Sequence, residues 1–462
     1  MIMKVWKIQP AISIAAGAIS VVAAEKPNVI VFFTDDHGYA DIGIQGMVDD
    51  VRTPHIDRLA EEGVRFTSGY VTCPISGPSR AGLMTGRYQQ RMGVETNSDL
   101  PFELNTVPFP ERMRQVGYRT GMTGKLHLPM KGEKSENPDK WGFDEFAMKA
   151  GDFSTAPKRR LTTHSPEGKL FDKPVWMDFE EYRLDVSTRF ALQFIDRNHE
   201  SPFFLYVAYF GPHVPLEAPE KYLSRFPGDM PEARRYALAM ISAIDDGVGA
   251  VVEKLKSYGI DDNTMIFFIG DNGAPYEFDE NNMDLPIDQL KRWDGSLNTP
   301  LLGEKGILGE GGIRVPYLMR WKNGVSGGQV IDIPVSSLDV AATVLAQVKG
   351  DVRNLDGENL VPVLTGGQLL REALFWRAGG QTAVRKGDWK YLKTQDHGPY
   401  LFDMKTMTPE RENLINRFPE MAAEFETMLA DWEKEMTRGL IRTSQINQEK
   451  TLFNKHYGNI SE

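Results

Sequence analysis

Residues 28–36 read NVIVFFTDD: an apolar run of β-branched and aromatic side chains that ends in two carboxylates. A continuous apolar run of this kind marks a strand covered on both faces, as in an α/β sheet, and not the in–out alternation of a half-exposed one. Two further runs share the pattern. PFFLYVAYFGPHVP, residues 202–215, leads into His213, and TMIFFIGDNG, residues 264–273, leads into Asp271 and Asn272. In open α/β sheets the ligand crevice lies at the carboxyl ends of the strands. Three buried strands that all end in metal-binding or proton-carrying residues therefore predict a site along that edge. Helical spacing of apolar residues over 181–197 and 231–257 supplies the crossovers such a sheet needs.

From about residue 370 the pattern changes. The stretch 373–404 reads as short antiparallel strands separated by glycine-containing turns, and 419–436 as an amphipathic helix. The expected fold is α/β: a large mixed, mostly parallel sheet flanked by helices, plus a smaller C-terminal antiparallel sheet with a packed helix. The expected division is 25–368 for the catalytic domain and 369–462 for a C-terminal subdomain and tail. The polar segment from Thr443 reads as a loosely held tail.

The chain has 462 residues, a formal net charge of −11 and one cysteine. The acidic balance excludes a general nucleic-acid binder, and any anionic substrate has to be drawn by a local basic pocket. A single cysteine leaves no internal disulfide. Lys4 and Lys7 precede an apolar stretch over 11–22 that ends in Ala23 and Ala24. That is the shape of a secretory signal peptide over residues 1–24, and it predicts a periplasmic or secreted protein. No later run approaches the ~20 apolar residues of a membrane span.

Asp35, Asp36, Asp271 and Asn272 are hard oxygen donors, the set that calcium or magnesium takes; a zinc pair draws on histidine or cysteine instead. Either pair alone reads as turn or cap chemistry. Both pairs at the ends of neighbouring strands favour a metal. GMTGKLHLP, residues 121–129, offers Lys125 and His127, which an extended segment would place on one face. LLGEKGILGEGGIRVP, residues 301–316, offers Lys305 before a glycine-rich turn. Two lysines, two histidines and an arginine beside an oxygen-rich metal site suit a tetrahedral oxyanion ester, whose charge has to be neutralised before a nucleophile approaches. In TCPISGPSRAGLMTGR, residues 72–87, Pro78 suits the first turn of a helix with Ser76 just before it, and Arg80 lies one turn further on.

Ser76-Gly77-Pro78-Ser79-Arg80, followed by Leu83, Thr85, Gly86 and Arg87, resembles the signature of the type I sulfatases, members of the alkaline-phosphatase-like superfamily. In that signature a cysteine or serine before x-P-S-R is oxidised to formylglycine. The resemblance extends through FTDDHG, TGKLH, PHVP, GDNG, EKGILGEGGIRVP and VRKGDWKYL with LFDM, in order along nearly the whole chain. The family's nucleophile stands four residues before the arginine, which makes it Ser76 and leaves Cys73 as a buried neighbour. The chain thus resembles the serine-type branch, in which a radical-SAM maturating enzyme acts before export.

The resemblance implies one calcium ion, with magnesium as the alternative, held by Asp35, Asp36, Asp271, Asn272 and the modified residue 76. It implies a hydrated formylglycine that attacks sulfur and forms a covalent sulfate intermediate, with Arg80 helping to activate it. Lys125 and Lys305 hold the sulfate oxygens, His213 protonates the leaving oxygen, and His127 helps the intermediate to release sulfate. The implied substrate is a sulfated glycan, with marine galactans such as carrageenan as candidates, and Trp293 and the cluster Lys158-Arg159-Arg160 as candidate contacts. Gly77 departs from the family's common polar residue. Two rivals remain at this level: a two-metal phosphomonoesterase or phosphodiesterase using unmodified Ser76, for which His37 is a possible extra ligand, and an inactive glycan-binding relative.

Overall fold

The computed structural model describes residues 26–133, 136–149, 159–163, 175–179, 181–275, 295–406 and 408–460. The expected signal peptide, Lys158 and Trp293 lie outside the described residues, and for the strand that Arg159 and Arg160 open only the backbone pairing is described.

Among the described residues the main sheet has ten strands. Its centre is four adjacent parallel strands in the spatial order Thr264–Gly270, Asn28–Asp35, Phe203–Pro212 and Arg119–Gly124. Glu145–Lys149 continues the parallel run, and Arg159–Thr163 and Val175–Phe179 add an antiparallel hairpin at that edge. On the other side Tyr317–Arg320 runs antiparallel to Thr264–Gly270 and leads to Val64–Phe66 and Gln329–Ile331.

Alternate residues of the central strand enter opposite cores, as the pleat requires. Val29, Val31 and Phe33 pack into one core with Ala81, Leu83 and Met84 of the helix Ser76–Thr85 and with Val340 and Ala341 of the helix Leu338–Val348. Ile30 and Phe32 pack into the other with the helices Pro54–Glu61, Arg183–Asn198 and Glu232–Ser257. Both faces are covered, so the sequence reading of continuous apolar runs holds, and the two crossover helices sit within two residues of their expected spans.

The C-terminal strands Leu374–Ala378, Gln381–Lys386, Trp389–Lys393 and Tyr400–Asp403 form the expected antiparallel sheet. The helix Pro419–Glu433 covers one face through Phe425 and Leu429. The other face is no separate surface: Trp376, Ala383, Leu392 and Phe402 belong to the large core of the main sheet. Trp376 Nε1 donates to the Val71 carbonyl at 2.7 Å across the same boundary.

The loose tail is corrected. Residues 443–457 form a helix, Thr443–Tyr457, whose Leu452, Phe453 and Tyr457 are buried in the large core. Polar composition misled because only one narrow side of this helix is apolar, and that side is enough to seat it.

The two parts are also locked by buried charge. Lys390 Nζ lies 2.9 Å from Glu310 Oε1 and 2.8 Å from Glu410 Oε1, with all three side chains inaccessible to solvent. Tyr457 Oη donates to Glu410 Oε2 at 2.8 Å. Removing one member of such a cluster strands the remaining charge. Lys390→Ala is expected to cost about 3–5 kcal/mol, read as a lowered denaturant midpoint; a loss below about 1 kcal/mol would show that the cluster does not join the two sheets.

Candidate active site

The strand order does the first part of the assembly. Asp35 and Asp36, Asp271 and Asn272, His213, and Lys125 each stand at or just past the carboxyl end of one of the four central parallel strands. At ~4.8 Å between strands, these ends fall within one crevice. Gly124 permits the last of them: its φ is +95°, and a Cβ there would lie 1.8 Å from the Ala208 carbonyl oxygen. Lys125 then anchors its own amide on that carbonyl at 2.9 Å.

The helix Ser76–Thr85 supplies the centre. Ser76 is its first residue and not the one before it, with Ile75 as a cap that offers no side-chain acceptor. Pro78 in the first turn has no N–H to satisfy. Asn97 Oδ1 accepts the Gly77 amide at 3.2 Å. A Cβ at residue 77 would meet that same oxygen at 2.6 Å and Leu100 Cδ1 at 2.7 Å, which accounts for glycine at this position. The ten-residue helix points its positive end at the crevice.

Ser76 Oγ donates to Asp35 Oδ1 or Asn272 Oδ1, each at 3.0 Å. Arg80, fully buried, donates from Nη2 to Asp271 Oδ2 at 2.6 Å and from Nη1 to the Lys125 carbonyl at 3.0 Å and the Tyr206 hydroxyl at 3.1 Å. Lys125 Nζ reaches Asp35 Oδ2 at 2.5 Å, and Lys305 Nζ reaches Asp36 Oδ2 at 2.6 Å. His213 Nε2 lies 3.6 Å from Asp36 Oδ2. Asp36 holds a left-handed φ of 58°, which aims its amide at Asp271 Oδ1, 3.0 Å away. Ser76, Arg80, Lys125, His213 and Lys305 thus meet Asp35, Asp36, Asp271 and Asn272 in one crevice, and His127 lies close enough to feel the charges of Lys125, Arg80, Asp35 and His213.

Three carboxylates against three cations set the electrostatics. Burial works to protonate Asp35, but Lys125, His213, Arg80 and Lys305 hold its carboxyl well below the usual range. Asp271 goes the other way, pushed up to about 7 by burial and by Asp35 beside it. Lys305, despite burial, is raised to about 12 by Asp36 and Asp35. Burial lowers Lys125 and His213. A carboxylate held back from ionising by its neighbour marks a place that a hard cation relieves. Asp35, Asp36 and His213 have donor atoms within 4.8 Å of one another; Asn272 Oδ1 shares the Ser76 hydroxyl with Asp35 Oδ1, and Asp271 Oδ1 borders them on the Asp36 amide. The donor set therefore fits a divalent metal.

Some residues behave differently from expectation. The segment holding Lys125 and His127 is not extended: the strand stops at Gly124 and His127 takes a φ of 57°. His37 is buried with Nδ1 on Thr34 Oγ1 at 3.1 Å and Nε2 on the Asp41 carbonyl at 2.8 Å. Both its nitrogens are committed to the fold, which removes the extra ligand that a two-metal phosphatase reading required. Cys73 is buried and donates to the Glu95 carbonyl at 3.3 Å. Burial pushes its thiol well up, and its place is structural. The residue that sequence reasoning missed is Tyr206, whose hydroxyl meets Arg80; inside an apolar strand it reads as core, and nothing in the pattern marks it. The Lys305 turn has an unforeseen brace as well. Glu304 Oε2 accepts from Lys455 Nζ and His456 Nε2, each at 3.1 Å, so the C-terminal helix grips the residue next to Lys305.

Burial, together with the charges of Lys125 and Arg80, lowers His127 to about 3. Its imidazole is expected to show no titration between about pH 5 and 8 when followed by NMR of histidine-labelled protein. A His127 midpoint inside that window would contradict the positive surroundings assigned to it.

A sulfatase family model matches residues 27–350 of the chain. The N-acetylgalactosamine-6-sulfatase of Mus musculus is 31% identical over 404 residues, covering 81% of this chain and 74% of the relative. Arylsulfatase A of Bos taurus is 29% identical over 504 residues, covering 96% and 94%. Among solved structures, Ps i-CgsB in complex with k-i-k-neocarrahexaose has a TM-score of 0.77 and 29% identity, covering 93% of this chain and 97% of that one. The sheet order, the flanking helices and the small C-terminal sheet are those of the alkaline-phosphatase-like architecture. The chain belongs to the sulfatase family, hydrolases of sulfuric esters.

Proposed function

We propose that the protein removes sulfate from a sulfated carbohydrate, a polysaccharide or its oligosaccharides, using residue 76 in its formylglycine form. The observation that carries this is the environment of Ser76 Oγ: one hydroxyl at a helix N-terminus, 3.0 Å from both Asp35 Oδ1 and Asn272 Oδ1, with Arg80 one turn along. A galactan of the carrageenan type is the first candidate substrate, because the solved structure that matches 93% of this chain at 29% identity is a complex with k-i-k-neocarrahexaose.

Asp35, Asp36, Asp271 and Asn272 would hold one calcium ion, with magnesium as the alternative. Bound there, the ion would supply positive charge to the anionic ester and to the oxygen of residue 76. Formylglycine would supply, once hydrated, a nucleophilic oxygen and a second hydroxyl that a plain serine lacks.

The chain's own side chains do the remaining work. Lys125 and Lys305 bind the non-bridging sulfate oxygens and offset their charge as bonding at sulfur changes. Arg80 holds Asp271 and lies 3.6 Å from Asp35 Oδ1, the oxygen that accepts from residue 76, and so helps to activate that residue. His213 gives a proton from Nε2 to the bridging oxygen as the S–O bond breaks; an anionic ester beside it raises the proton affinity that burial has lowered. Neutral His127 takes a proton from the hydroxyl of residue 76 when sulfate is released. The net reaction consumes one water and yields an alcohol and sulfate.

Maturation of Ser76 calls for a serine-oxidising partner of the radical-SAM type, acting before export to the periplasm or the exterior. Residues 1–24 would direct that export. Among the described residues no helix is long and apolar enough to cross a membrane.

Mass spectrometry of the peptide containing residue 76, from protein made in a host with the serine-oxidising enzyme, is expected to show a species lighter by two hydrogens. That preparation should desulfate members of a sulfated-glycan panel, and Lys305→Ala should lower kcat/KM by about 10²–10³-fold while the protein still folds. Multiple-turnover activity from protein shown to carry only unmodified serine would overturn the reading of residue 76. Activity confined to aryl sulfates would overturn the carbohydrate reading.

A further inference from the structure

The loop that carries His213 is poor in the usual means of holding a backbone still. Residues 211–215 read GPHVP, and neither Pro212 nor Pro215 has an N–H to donate. Yet His213 is aimed. Its Nδ1 lies 2.5 Å from the Val214 carbonyl oxygen. A carbonyl only accepts, so Nδ1 carries the hydrogen there, and Nε2 is the nitrogen that faces Asp36 and the crevice.

The Val214 carbonyl is in turn held from both sides. Arg183 Nη2 donates to the His213 carbonyl at 3.0 Å and to the Pro215 carbonyl at 2.8 Å. Its Nε lies 3.3 Å from Glu217 Oε1, two residues further along the same loop. Arg183 opens the helix Arg183–Asn198, and its side chain is only 8% exposed. One planar guanidinium on a rigid helix therefore grips the peptides on either side of the carbonyl that orients the imidazole. A planar fork with several donors suits this task better than the single point charge of a lysine.

We propose that Arg183 is a positioning residue for proton transfer by His213. It fixes the Val214 carbonyl, which fixes Nδ1–H, which aims Nε2 at the bridging oxygen. In the step it serves, the proton leaves Nε2 for the bridging oxygen, the S–O bonding pair goes to that oxygen, and the imidazole is left neutral. The proposal rests on the reading of His213 as the acid, and the test separates the two.

Aryl sulfates graded from 4-nitrophenyl to phenyl sulfate are the probe, because a good leaving group needs little protonation and a poor one needs much. Arg183→Ala is expected to lose about 10²-fold in kcat on phenyl sulfate but less than about threefold on 4-nitrophenyl sulfate, following His213→Ala, with Arg183→Lys between it and the parent. Thermal melts show which variants are folded. Histidine-selective 15N spectra read the same claim without turnover: the chain has eight histidines, and the Nδ1–H signal that disappears in His213→Ala should shift or broaden in Arg183→Ala. A steep leaving-group dependence in His213→Ala with a uniform loss and an unchanged signal in Arg183→Ala would overturn the role of Arg183. A flat dependence in His213→Ala itself would overturn the acid assignment, and the role of Arg183 with it.

Discussion

Three buried carboxylates at the ends of two adjacent strands are the constraint on which the rest of this structure depends. Asp35, Asp36 and Asp271 are almost inaccessible to solvent, and Asp35 accepts the Ser76 hydroxyl. Taking each out of water costs several kcal/mol unless opposite charge meets it at hydrogen-bonding distance. The protein meets it with Arg80, Lys125 and Lys305, brought from three different segments of the chain. That same arrangement is what a site for an anionic ester requires: positive groups fixed in advance around the place where negative charge will sit. The arrangement is costly to assemble and correspondingly specific.

The fold holds this charge in place by layers. The parallel strands set the carboxylates and His213 side by side. The helix Ser76–Thr85 delivers the hydroxyl and Arg80 from one face of the sheet, and the helix Arg183–Asn198 grips the His213 loop from the other. The turn bearing Lys305 is fastened to both neighbouring site loops: its amide donates to the Ala274 carbonyl, and that of Gly306 to the Pro74 carbonyl. Behind it stand the C-terminal helix, through Glu304, and the Lys390 cluster, through Glu310. The C-terminal sheet is thus part of the active-site scaffold, although no catalytic candidate comes from it.

Much of this was legible in the sequence, for a physical reason. Strands buried on both faces leave continuous apolar runs, and NVIVFFTDD, PFFLYVAYFGPHVP and TMIFFIGDNG each show one. The site residues were legible because reactive polar groups stand out at the ends of those runs, and because the Ser76–Arg87 pattern is specific. What stayed hidden was of a different kind. Tyr206 looks like any core aromatic until Arg80 is placed against its hydroxyl. Arg183 reads as a polar residue at a helix start, since its partners are backbone carbonyls, which carry no side-chain signature. The helix Thr443–Tyr457 looks like tail because Leu452, Phe453 and Tyr457 stand in an otherwise polar stretch, and its partner Glu304 lies far away in sequence. Long-range polar contacts to backbone or to single side chains leave no periodicity to read.

In the proposed reaction the chemistry is at sulfur, with the bridging oxygen leaving on the alcohol. Hydrolysis of a sulfated sugar in 18O-labelled water tests this most directly. The expected result is 18O in the released sulfate and none in the sugar hydroxyl. Label in the sugar hydroxyl would mean that water attacks carbon, and the roles assigned to Ser76, Lys125, Lys305 and His213 would all have to be withdrawn.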